Sequence, residues 1–113
     1  MLVEGAKDER ALRAVGVSGR IERLHRGASV QGVCERLSRE HPEVIVLTDW
    51  DTAGGKLARL AADALSSNGA RAKLEFRRTF AIHTRREIHQ VESLPVFLAR
   101  LQEKAQEEQE RAA

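Results

Sequence analysis

Apolar positions along the chain follow two patterns, a short continuous run and a helical repeat. The clearest run, 44–48, is β-branched and apolar on nearly every side chain, as is typical of a strand buried on both faces of a parallel sheet. The segment 52–67 then repeats its apolar residues at helical spacing and ends at Ser67-Asn68-Gly69. Its predicted inner face comprises Leu57, Leu60, Ala61, Ala64 and Leu65.

Weaker versions of the same alternation surround this strand and helix. We predict strands at 2–3, 20–24 and 70–76, a helix ending at Gly16, and a second helix that starts from an N-cap at Ser29 and stops at Pro42. Thr84 and Glu87 fit a capping box for a short helix through Val91. A last helix should start at 93–95, followed by frayed or free helix over 102–113. Its inward residues should be Leu94, Phe97, Leu98 and Leu101.

Strands that alternate with helices through short connections predict an α/β fold, with a parallel four-stranded sheet flanked by helices. A length of 113 residues suits one domain. We expect an α/β core at 1–92, to which the C-terminal helix and tail, 93–113, belong. The single cysteine, Cys34, lies on a predicted apolar helix face, which indicates a buried thiol and favours a reducing, cytoplasmic location. No apolar stretch reaches membrane-spanning length, and the first residues do not resemble a signal peptide.

Three carboxylates are predicted to meet at one edge of this sheet. Asp49 and Asp51 follow the buried strand, where ligand sites of open α/β sheets lie, and Glu4 closes the first strand at the same edge. Such charges are costly together without a cation, and oxygen-only ligation suits Mg²⁺ or Mn²⁺. The alternative is that one aspartate caps the helix and the other lies on the surface.

The start of the following helix is suited to a phosphate. Gly54 and Gly55 allow close approach of the backbone to a ligand, and helix N-termini favour anions. Lys56 and Lys7 could add positive charge, although plain surface lysines explain them equally well. Together with a metal, these features indicate phosphoryl-transfer chemistry.

The segment 71–86 carries six basic residues against one glutamate. Arg77 and Arg78 in this segment would contact nucleic acid, or alternatively pair with acidic residues over the sheet edge. Trp50 has two interpretations, stacking on a base or packing in the core. Zinc-ligand spacing with Cys34 is absent for the four histidines, which are His25, His41, His83 and His89.

Two motifs resemble a known family. Glu4-Gly5-Ala6-Lys7-Asp8, followed by Asp49-Trp50-Asp51-Thr52-Ala53-Gly54, is similar to the paired motifs of the Toprim domain. This metal-binding module is shared by bacterial primases, type IA and type II topoisomerases, nucleases of the OLD type and small ribosomal-RNA maturases. The similarity extends over nearly the whole chain and is strongest to the small stand-alone Toprim proteins found mainly in archaea, in which an Asp-Trp-Asp motif and a downstream Arg-Arg pair recur.

The resemblance implies a role for each matching residue. Glu4 would be the general acid or base and a further metal contact, and Asp49 and Asp51 would hold Mg²⁺. Gly5 and Gly54 would shape the two turns. Asp8 matches a structural position, as an N-terminal helix charge or the partner of an arginine. The Toprim strand order would place the first and third strands side by side at the centre of the sheet.

The implied function is Mg²⁺-dependent phosphodiester chemistry on RNA or DNA, most simply hydrolysis by a nuclease. The sequence contains no tyrosine, which argues against a topoisomerase-type covalent intermediate. One alternative is a non-catalytic module that holds a metal and binds nucleic acid or protein. A homodimer through the apolar face around Phe97 and Leu101 is a third possibility.

Overall fold

The computed structural model describes residues 1–24 and 29–112. His25, one of the histidines without zinc spacing, and Ala113, the end of the predicted tail, lie outside these residues. The elements in chain order are β1 (Leu2–Val3), α1 (Ala6–Ala14), β2 (Glu22–Arg23), α2 (Val30–Glu40), β3 (Glu43–Ile45), α3 (Thr52–Ser67), β4 (Arg71–Lys73), α4 (Glu75–Thr84), a 3₁₀ turn (Val91–Ser93) and α5 (Leu94–Ala112).

The strands are short and parallel, and they form two pairs. β1 pairs with β2, and β3 pairs with β4. One parallel bridge joins Leu2 to Val46, beside which the Leu47 N–H donates to the Leu2 carbonyl at 2.8 Å. The first and third strands therefore lie side by side, as predicted, but only at this bridge. The four-stranded sheet of the prediction is present as two two-stranded sheets, because strands of two or three residues leave little backbone for a continuous ladder.

Helix boundaries follow the predicted signals at α1 and α2. Gly16 has φ +96°, and the next N–H, that of Val17, donates to the Leu12 carbonyl at 3.0 Å, which closes the end of α1. The Ser29 hydroxyl accepts the Gly32 N–H at 3.0 Å, so Ser29 is the N-cap of α2. α2 ends at Glu40, two residues before Pro42.

Helices cover both faces of the strands. Consecutive strand residues point to opposite sides, so Leu2 and Val46 join one buried cluster with residues of α2 and α3, whereas Val3 and Leu47 join another with residues of α1 and α5. Cys34 is fully buried in the first cluster, as predicted. Leu60 was predicted to face inward, but it is 55% exposed, because the helix turns Ala58 and Ala61 toward the core instead.

The region 70–91 differs most from the prediction. The fourth strand stops at Lys73 rather than at 76, and α4 begins at Glu75. The short helix predicted from Thr84 is absent, since 85–90 form turns and irregular chain. Thr84 instead ends α4, where its hydroxyl donates to the Phe80 carbonyl at 2.7 Å. The sequence signal for α4 that the prediction missed is the helical spacing of Phe80, Ala81 and Thr84. Because α4 begins at Glu75, the Arg77-Arg78 pair lies on this helix.

The last helix is present and extends through the predicted tail. Leu94 is buried in α5, but Leu101, which was predicted to face inward, is 46% exposed. Every residue from 102 to 112 is helical and exposed. Among the described residues, no helix combines the length and the apolar character needed to cross a membrane.

Candidate metal centre

Glu4 contacts the segment that follows β3. It follows β1, which the bridge to Val46 holds beside the chain that leads to Asp49. One carboxylate oxygen of Glu4, Oε2, accepts the backbone N–H of Asp49 at 2.8 Å. The two predicted acids at the sheet edge are therefore in contact, although they are 45 positions apart in sequence.

A tight turn connects this edge to α3. Buried Thr48 donates its hydroxyl to the Gly54 carbonyl at 2.7 Å, and Asp51 accepts the Gly54 N–H at 2.7 Å as the N-cap of α3. A Cβ atom added to Gly54 would lie only 1.8 Å from the Asp49 carbonyl oxygen. Only glycine fits at this position, which agrees with the turn-shaping role that the resemblance implied for Gly54. The phosphate contact expected at the same residue stays a prediction.

Asp49 is held by backbone and side-chain groups from two later elements. The Val91 N–H, in the 3₁₀ turn, donates to Oδ1 of Asp49 at 2.8 Å. Arg77, on α4, donates to the Asp49 carbonyl from Nε at 3.2 Å and from a terminal nitrogen at 2.8 Å. These contacts fix both the main chain and the carboxylate of Asp49. Arg77, predicted as a nucleic-acid contact, is in this structure bound to the turn that carries Asp49.

Three carboxylates converge around Asp49, but the third is Asp8 rather than Asp51. Oxygen atoms of Glu4, Asp8 and Asp49 all lie within 4.8 Å of one another. Asp8 is buried at the start of α1, where it accepts the Gly5 N–H at 3.0 Å. This is the N-terminal helix charge that the resemblance implied, in a position that also faces the two motif acids. Asp51 is not a member of this group and caps α3.

The electrostatics of the cluster favour a cation. Burial, followed by repulsion from Glu4, raises the pKa of Asp49 to about 6, against the lowering effect of the Val91 N–H. Burial also raises the pKa of Asp8, and the charge of Asp49 raises it further. A divalent cation would relieve both the repulsion and the lost solvation, and an all-oxygen ligand set suits Mg²⁺ or Mn²⁺. The residues present therefore fit such an ion.

The remaining predicted residues are not members of the acidic cluster. Lys7 and Lys56 are exposed in the first turns of α1 and α3, and Arg78 is exposed on α4. Gly5 is the N-cap residue of α1. Gly55 lies under the guanidinium of Arg77, where an added Cβ would be 3.5 Å from a terminal nitrogen.

Trp50 packs and does not present its ring to solvent. It is 9% exposed, stacks on Phe80 with ring centroids 5.7 Å apart, and donates its indole N–H to the Ile88 carbonyl at 2.8 Å. Its backbone N–H donates to the His89 carbonyl at 2.9 Å. Trp50 therefore ties the segment 88–91 to the motif, which brings the Val91 N–H to Asp49.

Sequence reasoning missed Asp8 as a third acid and the Val91 amide as a partner of Asp49. A signal existed for Asp8, because Glu4 and Asp8 are four apart across a helix start, so that both can face one side. No sequence signal marks the Val91 amide, since any residue could supply it.

Comparison with known proteins identifies the family to which the acidic motifs belong. The family model of the Toprim domain matches residues 1–80. The chain belongs to the Toprim family.

Toprim relatives of this chain include small archaeal proteins. A UPF0292 protein of Methanosarcina acetivorans is 33% identical over 92% of this chain and 72% of its own length. A UPF0292 protein of Archaeoglobus fulgidus is 34% identical over 89% of this chain and 77% of its own length. A solved structure of a protein from Aquifex aeolicus has a TM-score of 0.68 at 28% identity and covers 81% of each chain. The predicted resemblance to stand-alone Toprim proteins is confirmed.

Membership of the Toprim family links the acidic cluster to the metal binding and nucleic-acid chemistry of that family. Toprim domains bind divalent metals, typically Mg²⁺, and the family acts on nucleic acids. All three acids lie within the matched region 1–80, whereas Val91 and α5 lie beyond it.

Proposed function

We propose that this protein hydrolyses phosphodiester bonds in nucleic acid with Mg²⁺, as a small Toprim nuclease. The observation that carries the proposal is the convergence of Glu4, Asp8 and Asp49, whose oxygens lie within 4.8 Å of one another. Acids gathered this closely at a sheet edge fit a divalent cation better than they fit a purely structural arrangement.

The ligand set that we propose has Asp49 at its centre, with Glu4 and Asp8 beside it. Asp51 is the further ligand that the family pattern assigns, and it would act from the neighbouring turn. When bound, Mg²⁺ would supply electrostatic stabilisation of the charge that develops on the phosphate. Arg77 would keep the Asp49 backbone in place during the reaction, because it donates twice to that carbonyl.

Glu4 is our candidate for proton transfer. Its Oε2 is occupied by the Asp49 N–H, which fixes the carboxylate and leaves Oε1 to exchange a proton with the attacking water or with the leaving oxygen. The exposed side chains of Lys7, Lys56 and Arg78, and the backbone at Gly55, are the phosphate contacts that we propose around this centre.

The experiment is a cleavage assay on structured and single-stranded RNA and DNA, with Mg²⁺ or Mn²⁺, together with a calorimetric Mn²⁺ titration. Asp49→Asn should abolish metal binding and cleavage. Glu4→Gln should reduce cleavage at least about 100-fold, the usual contribution of acid–base catalysis. Asp63→Asn, an acidic residue of α3 outside the cluster, is the control and should leave both readouts unchanged. Full cleavage by the Asp49 variant would refute the proposal.

A second candidate function is a non-catalytic module that binds nucleic acid or a protein partner. It is favoured by one observation: each carboxylate of the cluster accepts a backbone N–H, from Asp49, Gly5 or Val91, as a structural acid would. In that case Glu4→Gln would leave nucleic-acid binding intact, no cleavage would occur with any metal, and removal of the Arg77 and Arg78 side chains would abolish binding.

A further inference from the structure

A large groove lies between α1, the segment 83–88 and α5. It encloses about 1030 Å³. Its walls come partly from the Toprim core and partly from α5, which lies outside the matched region 1–80. Such a volume would hold a few nucleotides or a short peptide segment.

The groove is rich in cations that have no acidic partner. Lys7 and Arg10 on α1 and Arg100 and Lys104 on α5 are exposed, and none pairs with a carboxylate among residues 1–24 and 29–112. Elsewhere in the chain, ion pairs with nearby glutamates hold several arginines, namely Arg13, Arg20, Arg23, Arg36 and Arg39. Two glutamates, Glu87 and Glu92, also line the groove, so the four cations exceed the carboxylates by two. Unpaired positive charge of this kind complements a polyanion.

The floor of the groove is apolar and includes an aromatic ring. Phe97, which is half-buried, lines the groove together with Ile88, Pro95 and Val96, and Val96 is 58% exposed. Aromatic and aliphatic surface framed by cations is the combination that holds an unstacked base and its flanking phosphates. A duplex keeps its bases stacked inside and would offer this floor nothing to contact.

Two lining residues of the groove are sequence neighbours of residues that form the metal centre. Lys7 precedes Asp8, and Glu92 follows Val91, whose N–H holds the Asp49 carboxylate. A strand bound in the groove would thus contact the same segments, the start of α1 and the 3₁₀ turn, that carry Asp8 and the Val91 N–H. The geometry points to a binding site for an unpaired, single-stranded segment in the groove between α1 and α5, and this inference rests on the proposed function for its nucleic-acid substrate. The phosphates of the strand would lie on Lys7, Arg10, Arg100 and Lys104, and a base would stack on Phe97.

The experiment measures the binding of a fluorescent 12-nucleotide strand, as RNA and as DNA, by anisotropy in EDTA. Omitting metal separates this site from the metal centre. Arg100→Glu with Lys104→Glu should weaken binding more than 10-fold and lower the slope of log affinity against log salt by about 1.4, for two phosphate contacts. Phe97→Ala should weaken binding about 5- to 150-fold, as expected for loss of one base stack. Phe97→Leu, which keeps most of the buried volume, should also weaken it if the ring itself is needed.

Arg59→Glu with Arg111→Glu is the matched control. It makes the same change in net charge at two exposed arginines, one on α3 and one at the far end of α5, and neither lines the groove. It should change binding by less than about threefold. Circular dichroism confirms the fold of each variant.

Four results would overturn the inference. The first three are no binding of any single strand, equal or tighter binding of the matching duplex, and equal losses in the groove and control variants. A fourth is a dimer in light scattering that the groove variants dissociate while strand binding is unchanged, since the occupant would then be a second copy. Failure of the proposed function looks different: cleavage is absent with every metal, yet strand binding is still lost in the groove variants.

Discussion

Gly54→Ala tests whether the turn between the third strand and α3 builds the metal centre. The new Cβ would lie 1.8 Å from the Asp49 carbonyl oxygen, 2.5 Å from its carbonyl carbon and 2.9 Å from its Cα, whereas real Cβ contacts essentially never fall below 3.0 Å. All three atoms are backbone, so no side-chain rotation relieves the overlap. The start of α3 must move away from Asp49, which would break the hydrogen bond from Thr48 to Gly54.

We expect Gly54→Ala to lower the free energy of unfolding by about 3 kcal/mol, the upper end of the usual cost of overpacking. Because the displaced atoms belong to Asp49, Mn²⁺ affinity should fall at least about tenfold even where the protein remains folded. Urea unfolding followed by Trp50 fluorescence measures the first effect, and calorimetry measures the second.

The neighbouring residue supplies the control. A Cβ on Gly55 would lie 3.5 Å from a terminal nitrogen of Arg77, an ordinary contact with a side chain. Gly55→Ala should therefore be neutral, or stabilising by up to about 1 kcal/mol, since alanine is the better helix former. If the two variants have equal stability and equal Mn²⁺ affinity, the turn does not position Asp49 as described.

Four further predictions follow from the contacts of the centre. Because the pKa of Asp49 is raised to about 6 in the folded protein, its protonated form contributes stability that is complete below the ordinary aspartate pKa and is lost as pH rises through 6. In EDTA, thermal unfolding should therefore occur at higher temperature at pH 5 than at pH 7. Asp49→Asn should reduce this difference, and Asp8, whose pKa burial also raises, should account for what remains. Mn²⁺ affinity should fall about tenfold per pH unit below 6, and constant affinity from pH 5 to 7 in calorimetry would contradict the raised pKa. Arg77→Met removes both donors to the Asp49 carbonyl and should cost about 2 kcal/mol in urea unfolding, whereas Arg78→Met, on the exposed side of α4, should cost under about 0.5 kcal/mol. Trp50→Phe leaves the Ile88 carbonyl without its indole donor and should cost about 1–3 kcal/mol in thermal or urea unfolding; an unchanged stability would show that this bond is not needed to hold the segment 88–91.

The expectation for the core followed from apolar spacing, and it held where that spacing was strong. The buried run before Asp49, the N-cap at Ser29 and the buried thiol of Cys34 were all predictable, because each depends on neighbours within one element. The segment after β4 was not, since Phe76 and Phe80 fit a strand or a helix, and only packing of Phe80 on Trp50 selects the helix. The extent of the sheet was also missed, because the number of paired residues depends on how far partner strands run together.

The features of the candidate centre likewise fall into those that the sequence predicts and those that it does not. The strand pattern and the two motifs are sufficient to place Glu4 and Asp49 at the ends of strands on one edge of the sheet, because parallel strands finish together and the two motifs identify the family. The packing of the elements determines that Asp8 completes the acidic cluster while Asp51 caps α3, and that Val91 and Arg77 hold Asp49. The two groups of features differ because local sequence fixes which end of an element a residue occupies. The distances between the carboxylates, and the amide that faces each carboxylate, depend instead on how elements far apart in sequence pack together.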